Sequence, residues 1–139
     1  MEQSPELKEV ILRYYDAFAS GDYTIYERML SQTDGLLGIG TDPNEWWDSH
    51  ATLVRISKAQ IQELKGAGVS FIPGDLQCYR EGSVGWSADR PTLRLPDGTN
   101  LPLRMTTVFH QENGEWKMVQ FHTSIGVPNS EAVGAELPT

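Results

Sequence analysis

Residues 103–124 read LRMTTVFHQENGEWKMVQFHTS, and the pair at the centre, Asn113-Gly114, decides how this part of the chain folds. Asn-Gly between alternating apolar and polar residues signals a two-residue hairpin turn, because both residues tolerate the positive φ such a turn demands. A two-residue loop sets the register, so Glu112 opposes Glu115. The pairs continue as Gln111–Trp116, Phe109–Met118, Thr107–Gln120, Met105–His122 and Leu103–Ser124, and opposed residues share a face. Upstream, Glu81-Gly82 and Pro96-Asp97-Gly98-Thr99 are further turn signals. Strands are therefore expected over residues 69–80, 83–95, 100–112 and 115–127.

Extending the Asp97-Gly98 turn in the same way sets Trp86 against Phe109 and Ala88 against Thr107. One face then collects Val84, Trp86, Leu103, Met105, Phe109, Trp116 and Met118, and is assigned to the side the helices cover. Its polar members, Thr107, Gln120, His122 and Ser124, gather at the end far from the Asn-Gly turn, as polar groups do in a small-molecule pocket. The other face mixes Arg104, Thr106, His110, Lys117 and Thr123 with Val108, Val119 and Phe121. That set is too apolar for a solvated sheet and suits a homodimer interface. A β-bulge would invert the parity beyond it and turn Arg104 towards the pocket.

The first half of the chain reads as helices. Ser4-Pro5-Glu6 is a hydroxyl cap, a proline at the first helical position and an acid at the positive dipole end. Leu7, Val10, Ile11, Tyr14 and Phe18 then recur at helical spacing until Gly21, after which Asp22 caps a short helix carrying Ile25, Met29 and Leu30. Residues 35–40 form a glycine-rich buried strand, and Thr41-Asp42-Pro43-Asn44 is a turn leading into a helical segment that begins around Trp46-Trp47. Leu53, Ile56, Ile61 and Leu64 continue a helix that Gly66-Ala67-Gly68 ends. Helices followed by an antiparallel meander define an α+β fold, with helices packed on one face of a curled sheet. Residues 1–128 form a single domain, and 129–139 are a small, polar tail.

Composition excludes several function classes. A net charge of −8 argues against nucleic-acid binding and against adhesion to anionic lipid. The single cysteine, Cys78, rules out an internal disulfide and a cysteine-rich metal site. His50, His110 and His122 have no ligand spacing, so no metal is expected, and without G-x-G-x-x-G or a Walker loop no cofactor is called for. No apolar run is long enough to span a bilayer, and the acidic MEQSPELKEV start lacks a signal-peptide core, so a cytoplasmic location is expected.

Three stretches carry a family resemblance: Ile11-Leu12-Arg13-Tyr14-Tyr15-Asp16-Ala17-Phe18 before Gly21-Asp22, Gly40-Thr41-Asp42-Pro43 before Glu45-Trp46-Trp47, and Gly114 to Ser124. In this order they resemble the nuclear-transport-factor-2-like superfamily, particularly SnoaL-like proteins and the association domain of calcium/calmodulin-dependent kinase II. The resemblance implies a cystatin-like α+β roll: a cone-shaped curved sheet wrapped around N-terminal helices, open at one end and dimeric. It spans ketosteroid isomerases, cyclases, dehydratases and non-catalytic association modules, so fold does not select function.

By similarity to the isomerases, Arg13-Tyr14 placed six residues before Gly21-Asp22 makes Tyr14 a candidate oxyanion donor; the alternative is a core tyrosine. Asp42 corresponds to the general-base aspartate, or else is a turn residue. The isomerases' second, protonated acid finds its nearest counterpart in Asp89, which the hairpin register puts on the outer face. His122 is a candidate base or hydrogen-bond donor, or a structural histidine. Phe18, Trp46, Trp47, Trp86, Met105, Thr107 and Gln120 complete the expected pocket for a small hydrophobic or aromatic molecule. Two functions follow: a ligand-binding protein, with proton transfer beside a carbonyl as its chemistry if it is an enzyme, or a non-enzymatic association module.

Overall fold

Ser4 starts the first helix by accepting a hydrogen bond from the Leu7 amide at 3.3 Å. In the computed structural model, which describes residues 1–139, α1 then runs over Pro5–Ser20 and ends at Gly21, whose φ of 73° is the left-handed geometry of a helix stop. Asp22 caps α2 (Tyr23–Met29) by accepting from the Thr24 amide at 3.0 Å. The longest helix, α3 (His50–Ala67), is capped by Ser49 and terminated by Gly68 in the left-handed conformation. No helix is long and apolar enough to cross a membrane.

Before α1 lies a short edge strand, β1 (Glu2–Gln3), and between α2 and α3 come β2 (Leu37–Ile39) and β3 (Trp46–Trp47). After α3 the chain forms β4 (Ser70–Ile72), β5 (Gln77–Glu81), β6 (Val84–Asp89), β7 (Thr92–Arg94) and β8 (Asn100–Pro102), then the long hairpin β9 (Arg104–Glu112) and β10 (Glu115–Ser124). A last turn of helix, α4, covers Asn129–Ala132. The main sheet has the order β1-β5-β6-β9-β10-β2-β3, and β4-β7-β8 form a second, smaller sheet. All pairings are antiparallel except β10 with β2. The result is the expected α+β roll, with helices covering one face of a curved sheet. Leu7 and Ile11 of α1, Leu53 and Ile61 of α3, and Phe109 and Met118 of the hairpin meet in the core with no exposed surface. Gly85 permits this closeness, because a methyl group there would collide with the Leu7 side chain.

Three local expectations are corrected. Trp46-Trp47 form a strand rather than a helical segment: Asp42 accepts from the Glu45 amide, and the intervening turn closes a β2–β3 hairpin. The second correction concerns Asp97-Gly98. Leu95 and Thr99 close a three-residue loop, Pro96-Asp97-Gly98, with Gly98 left-handed at φ 86°. That extra residue shifts the register by one, so Trp86 opposes Val108 and Ala88 opposes Thr106. Val84 and Trp86 therefore lie on the outer face, while Gly85, Ser87 and Asp89 point inward and are buried.

The third correction lies within the Asn113-Gly114 hairpin. Both turn residues have positive φ, 52° and 79°, and the predicted pairs hold as far as Met118–Phe109. A bulge at Val119 then inverts the parity. Beyond it Gln120 opposes Val108, Phe121 opposes Thr107, His122 opposes Thr106 and Thr123 opposes Met105. Gln120 and His122 thus leave the inner face, and Phe121 and Thr123 join it. Arg104 stays outside, because the bulge lies on its partner strand.

Candidate functional site

The cone holds a cavity of about 420 Å³ between α1, α2 and α3 on one side and the concave sheets on the other. That volume falls in the range of small-molecule pockets. Tyr14 and Phe18 of α1, Tyr26 of α2 and Ser57 of α3 line its helical side. Phe71, Leu93, Leu101 and Leu103 come from the small sheet and its exit, and Phe121, Thr123 and Ile125 from β10 and the residue after it. Gly40, Thr41, Glu45 and Trp47 of the β2–β3 hairpin, with Ala59, Gln60, Glu63 and Leu64 of α3, complete the wall.

Aromatic packing holds the inner end rigid. Phe18 meets the Tyr14 ring edge-on at 5.2 Å and approaches Phe71 at 4.8 Å, while Tyr14 and Tyr26 lie 5.3 Å apart between ring centroids. Three hydroxyls lie close together there, those of Tyr14, Tyr26 and Ser57. Burial pushes the Tyr14 phenol well above its ordinary value, and the neighbouring Tyr26 and Tyr15 push the same way. Tyr26 is also raised by burial, with the neighbouring Ser57 and Tyr14 hydroxyls opposing the rise. Both phenols are therefore neutral across the physiological range, able to donate a hydrogen bond to a ligand oxygen but not to act as anions.

The rim has a different chemistry. Glu45 folds back over Gly40, where any side chain would collide with it, and its Oε1 accepts from the Asp42 amide at 3.0 Å. Its Oε2 accepts from Gln60 Nε2 at 3.3 Å. No Lys, Arg or His side chain lies on the cavity wall. No group of three or more His, Cys, Asp or Glu side chains converges where a metal ion could sit.

Of the residues singled out in the sequence, Tyr14, Phe18 and Trp47 stand on this wall. The others do not. Asp42 is exposed and its carboxylate accepts from the Asn44 amide at 2.8 Å, the behaviour of a turn residue. His122 is exposed on the outer face beyond the bulge, and Gln120 leaves the inner face with it. Trp46 is 63% exposed, one step of strand alternation away from Trp47. Trp86 stacks on Tyr79 on the outer face, at 4.9 Å. Met105 and Thr107 do face inward, but beneath the cavity: Met105 is core, and the Thr107 hydroxyl pairs with Ser87.

Asp89 is inward rather than outward, yet it does not reach the cavity either. It accepts from the Tyr15 hydroxyl at 2.8 Å, the Arg90 amide at 2.8 Å and the Gly74 amide at 3.1 Å. Sequence reasoning missed Tyr26, Ser57, Glu45 and Phe121. A signal existed for Ser57: it sits between Leu53 and Ile61 at four-residue spacing, a polar residue in an apolar stripe. For Phe121 there was none short of placing the bulge.

A helical layer over a curved sheet that closes round a pocket defines the nuclear-transport-factor-2-like, cystatin-like class of α+β proteins. Residues 7–128 match the family description of the SnoaL-like domain, and the chain belongs to that family. Solved structures agree on the fold. An NTF2-like protein with a cystatin-like fold from Novosphingobium aromaticivorans superposes with a TM-score of 0.73 at 17% identity, covering 91% of this chain and 85% of that one. A candidate ketosteroid isomerase from Shewanella frigidimarina gives 0.69 at 18% identity, covering 84% and 92%. A candidate calcium/calmodulin-dependent protein kinase II association domain from Xanthomonas campestris gives 0.71 at 14% identity, covering 91% and 89%. No curated protein is detectably similar in sequence.

Proposed function

We propose that this chain binds a small, largely apolar molecule inside the cone, with an oxygen of that molecule accepting hydrogen bonds from the Tyr14–Tyr26–Ser57 hydroxyls. The observation that carries the reading is the grading of the cavity: neutral hydroxyls at the buried end, aromatic and leucine walls between, and charge confined to the rim. Such a site orients a carbonyl or hydroxyl inward and buries the carbon skeleton. Binding is favoured over proton transfer because neither expected base, Asp42 or His122, stands on the wall. Glu45 is the half-buried carboxylate on the wall, and both its oxygens already accept hydrogen bonds.

A fluorescence titration with prodan, a neutral naphthyl ketone whose emission shifts to the blue in apolar surroundings, tests the reading. Saturable binding is expected, weakened about three- to tenfold by Tyr14→Phe, the effect of one hydrogen bond worth ~0.5–1.5 kcal/mol. Leu101→Arg should abolish binding, and Trp86→Asp on the outer face should leave it unchanged. Binding that ignores Leu101→Arg but is lost with Trp86→Asp would move the ligand to the outer sheet and overturn the proposal.

Self-association through the outer face of the main sheet is proposed alongside it. Val84 is 48% exposed there, beside half-buried Trp86 and Val108, and the likeness to a candidate association domain points the same way. With Phe121 turned inward, this interface is built on Trp86 and Val108.

A further inference from the structure

The cavity wall carries two carboxylates, Glu45 and Glu63, and no cationic side chain. Neither acid belongs to any of the protein's ion pairs, which gather at the N-terminal strand, around Arg80 and near the β9–β10 turn. Glu45 is half-buried and held in place by the Asp42 amide and by Gln60. Glu63 follows Gln60 by three residues on α3, so it stands on the same side of that helix. The opposite end of the cavity offers only neutral hydroxyls, so nothing inside balances these charges.

We infer that the molecule taken by the cone is an amphiphilic amine, its ammonium group at the rim beside Glu45 and Glu63 and its apolar body reaching inward along the packed rings of Phe18 and Phe71. The inference rests on the ligand-binding reading above. The cavity is the site; the two acids set the sign of charge it accepts. An apolar funnel focuses the field of charges at its mouth, and the chain's net charge of −8 adds to the attraction. Trp47 stands on the same wall, and an aromatic ring is a second favourable partner for a cation. A carboxylate ligand would meet like charge at the rim and find no cation further in.

Displacement of prodan by three naphthalenes that differ only at the chain end provides the test: naphthylpropylamine, naphthylpropanol and naphthylpropanoate. The amine should displace prodan about tenfold more tightly than the alcohol, and the carboxylate should be the weakest of the three. Raising the salt concentration should narrow the gap. Glu63→Gln, an exposed change, should reduce the preference for the amine, and Glu45→Gln with Glu63→Gln should erase it, read as the ratio of amine to alcohol displacement so that any change common to both ligands cancels. An amine no tighter than the alcohol overturns the charge inference but leaves the ligand-binding reading standing. An amine preference that survives both substitutions overturns the assignment to these acids. If neither prodan nor any of the three binds, both readings fall.

Discussion

Replacing Phe121 and His122 one at a time by alanine tests the bulge at Val119, on which the shape of the cavity depends. Without the bulge, Phe121 would lie on the outer face and His122 inside. With it, Phe121 is 5% exposed, packs within 6.5 Å of the Tyr26 and Trp47 ring centroids and closes on Gly38, while His122 is exposed. Truncating a buried phenylalanine costs ~3–5 kcal/mol. Phe121 borders an existing cavity, so part of the space it vacates is open to water, and we expect the lower end, about 3 kcal/mol. His122→Ala should cost less than ~0.5 kcal/mol, as surface substitutions do. Urea unfolding followed by circular dichroism, at one protein concentration so that any dimer contributes equally, measures both. A Phe121→Ala cost below about 1 kcal/mol, or a His122→Ala cost above it, would refute the inverted parity.

Other perturbations address the rest of the frame. Tyr15→Phe removes the 2.8 Å hydrogen bond to buried Asp89 and should cost ~1.5–3 kcal/mol in the same unfolding assay, because it strips a donor from a carboxylate out of water. Gly85→Ala should destabilise by ~1–3 kcal/mol through the clash with Leu7. Burial pushes the Cys78 thiol up to about 11 from an ordinary 9.0. The unfolded chain therefore loses the thiol proton first, and this contribution to stability, full below pH 9, should fall away between pH 9 and 11. A Cys78→Ala variant should show a smaller decline over that window. Val108→Asp should shift the light-scattering mass towards the monomer without loss of helix signal, and an unchanged mass would remove the outer sheet as the interface.

Most of the fold was legible because its determinants are local. Ser4, Asp22, Gly21 and Gly68 act within one turn of the helices they begin or end, and Asn113-Gly114 sets its own turn. The site was less legible, since residues on a strand change face with every one-residue error. Two such errors arose. Pro96 joined Asp97-Gly98 to make a three-residue loop, which moved Trp86 outward and Asp89 inward. Val119 bulged from β10, which exchanged His122 for Phe121. Neither is visible in composition or periodicity, because both depend on how the sheet must curl round the helices. Tyr14 and Phe18 escaped this uncertainty, as helical periodicity averages over neighbouring turns. The exposure of Asp42 follows from its own backbone: the carboxylate is spent on the Asn44 amide inside the turn.

The most direct measurement is a crystal structure of the protein with prodan. Density for the naphthalene against Phe18, Phe71 and Leu101, with the ketone oxygen within about 2.5–3.0 Å of the Tyr14 or Tyr26 hydroxyl, is the predicted result. Density confined to the outer sheet around Trp86, or a cone that stays closed to a ligand bound elsewhere, would contradict it.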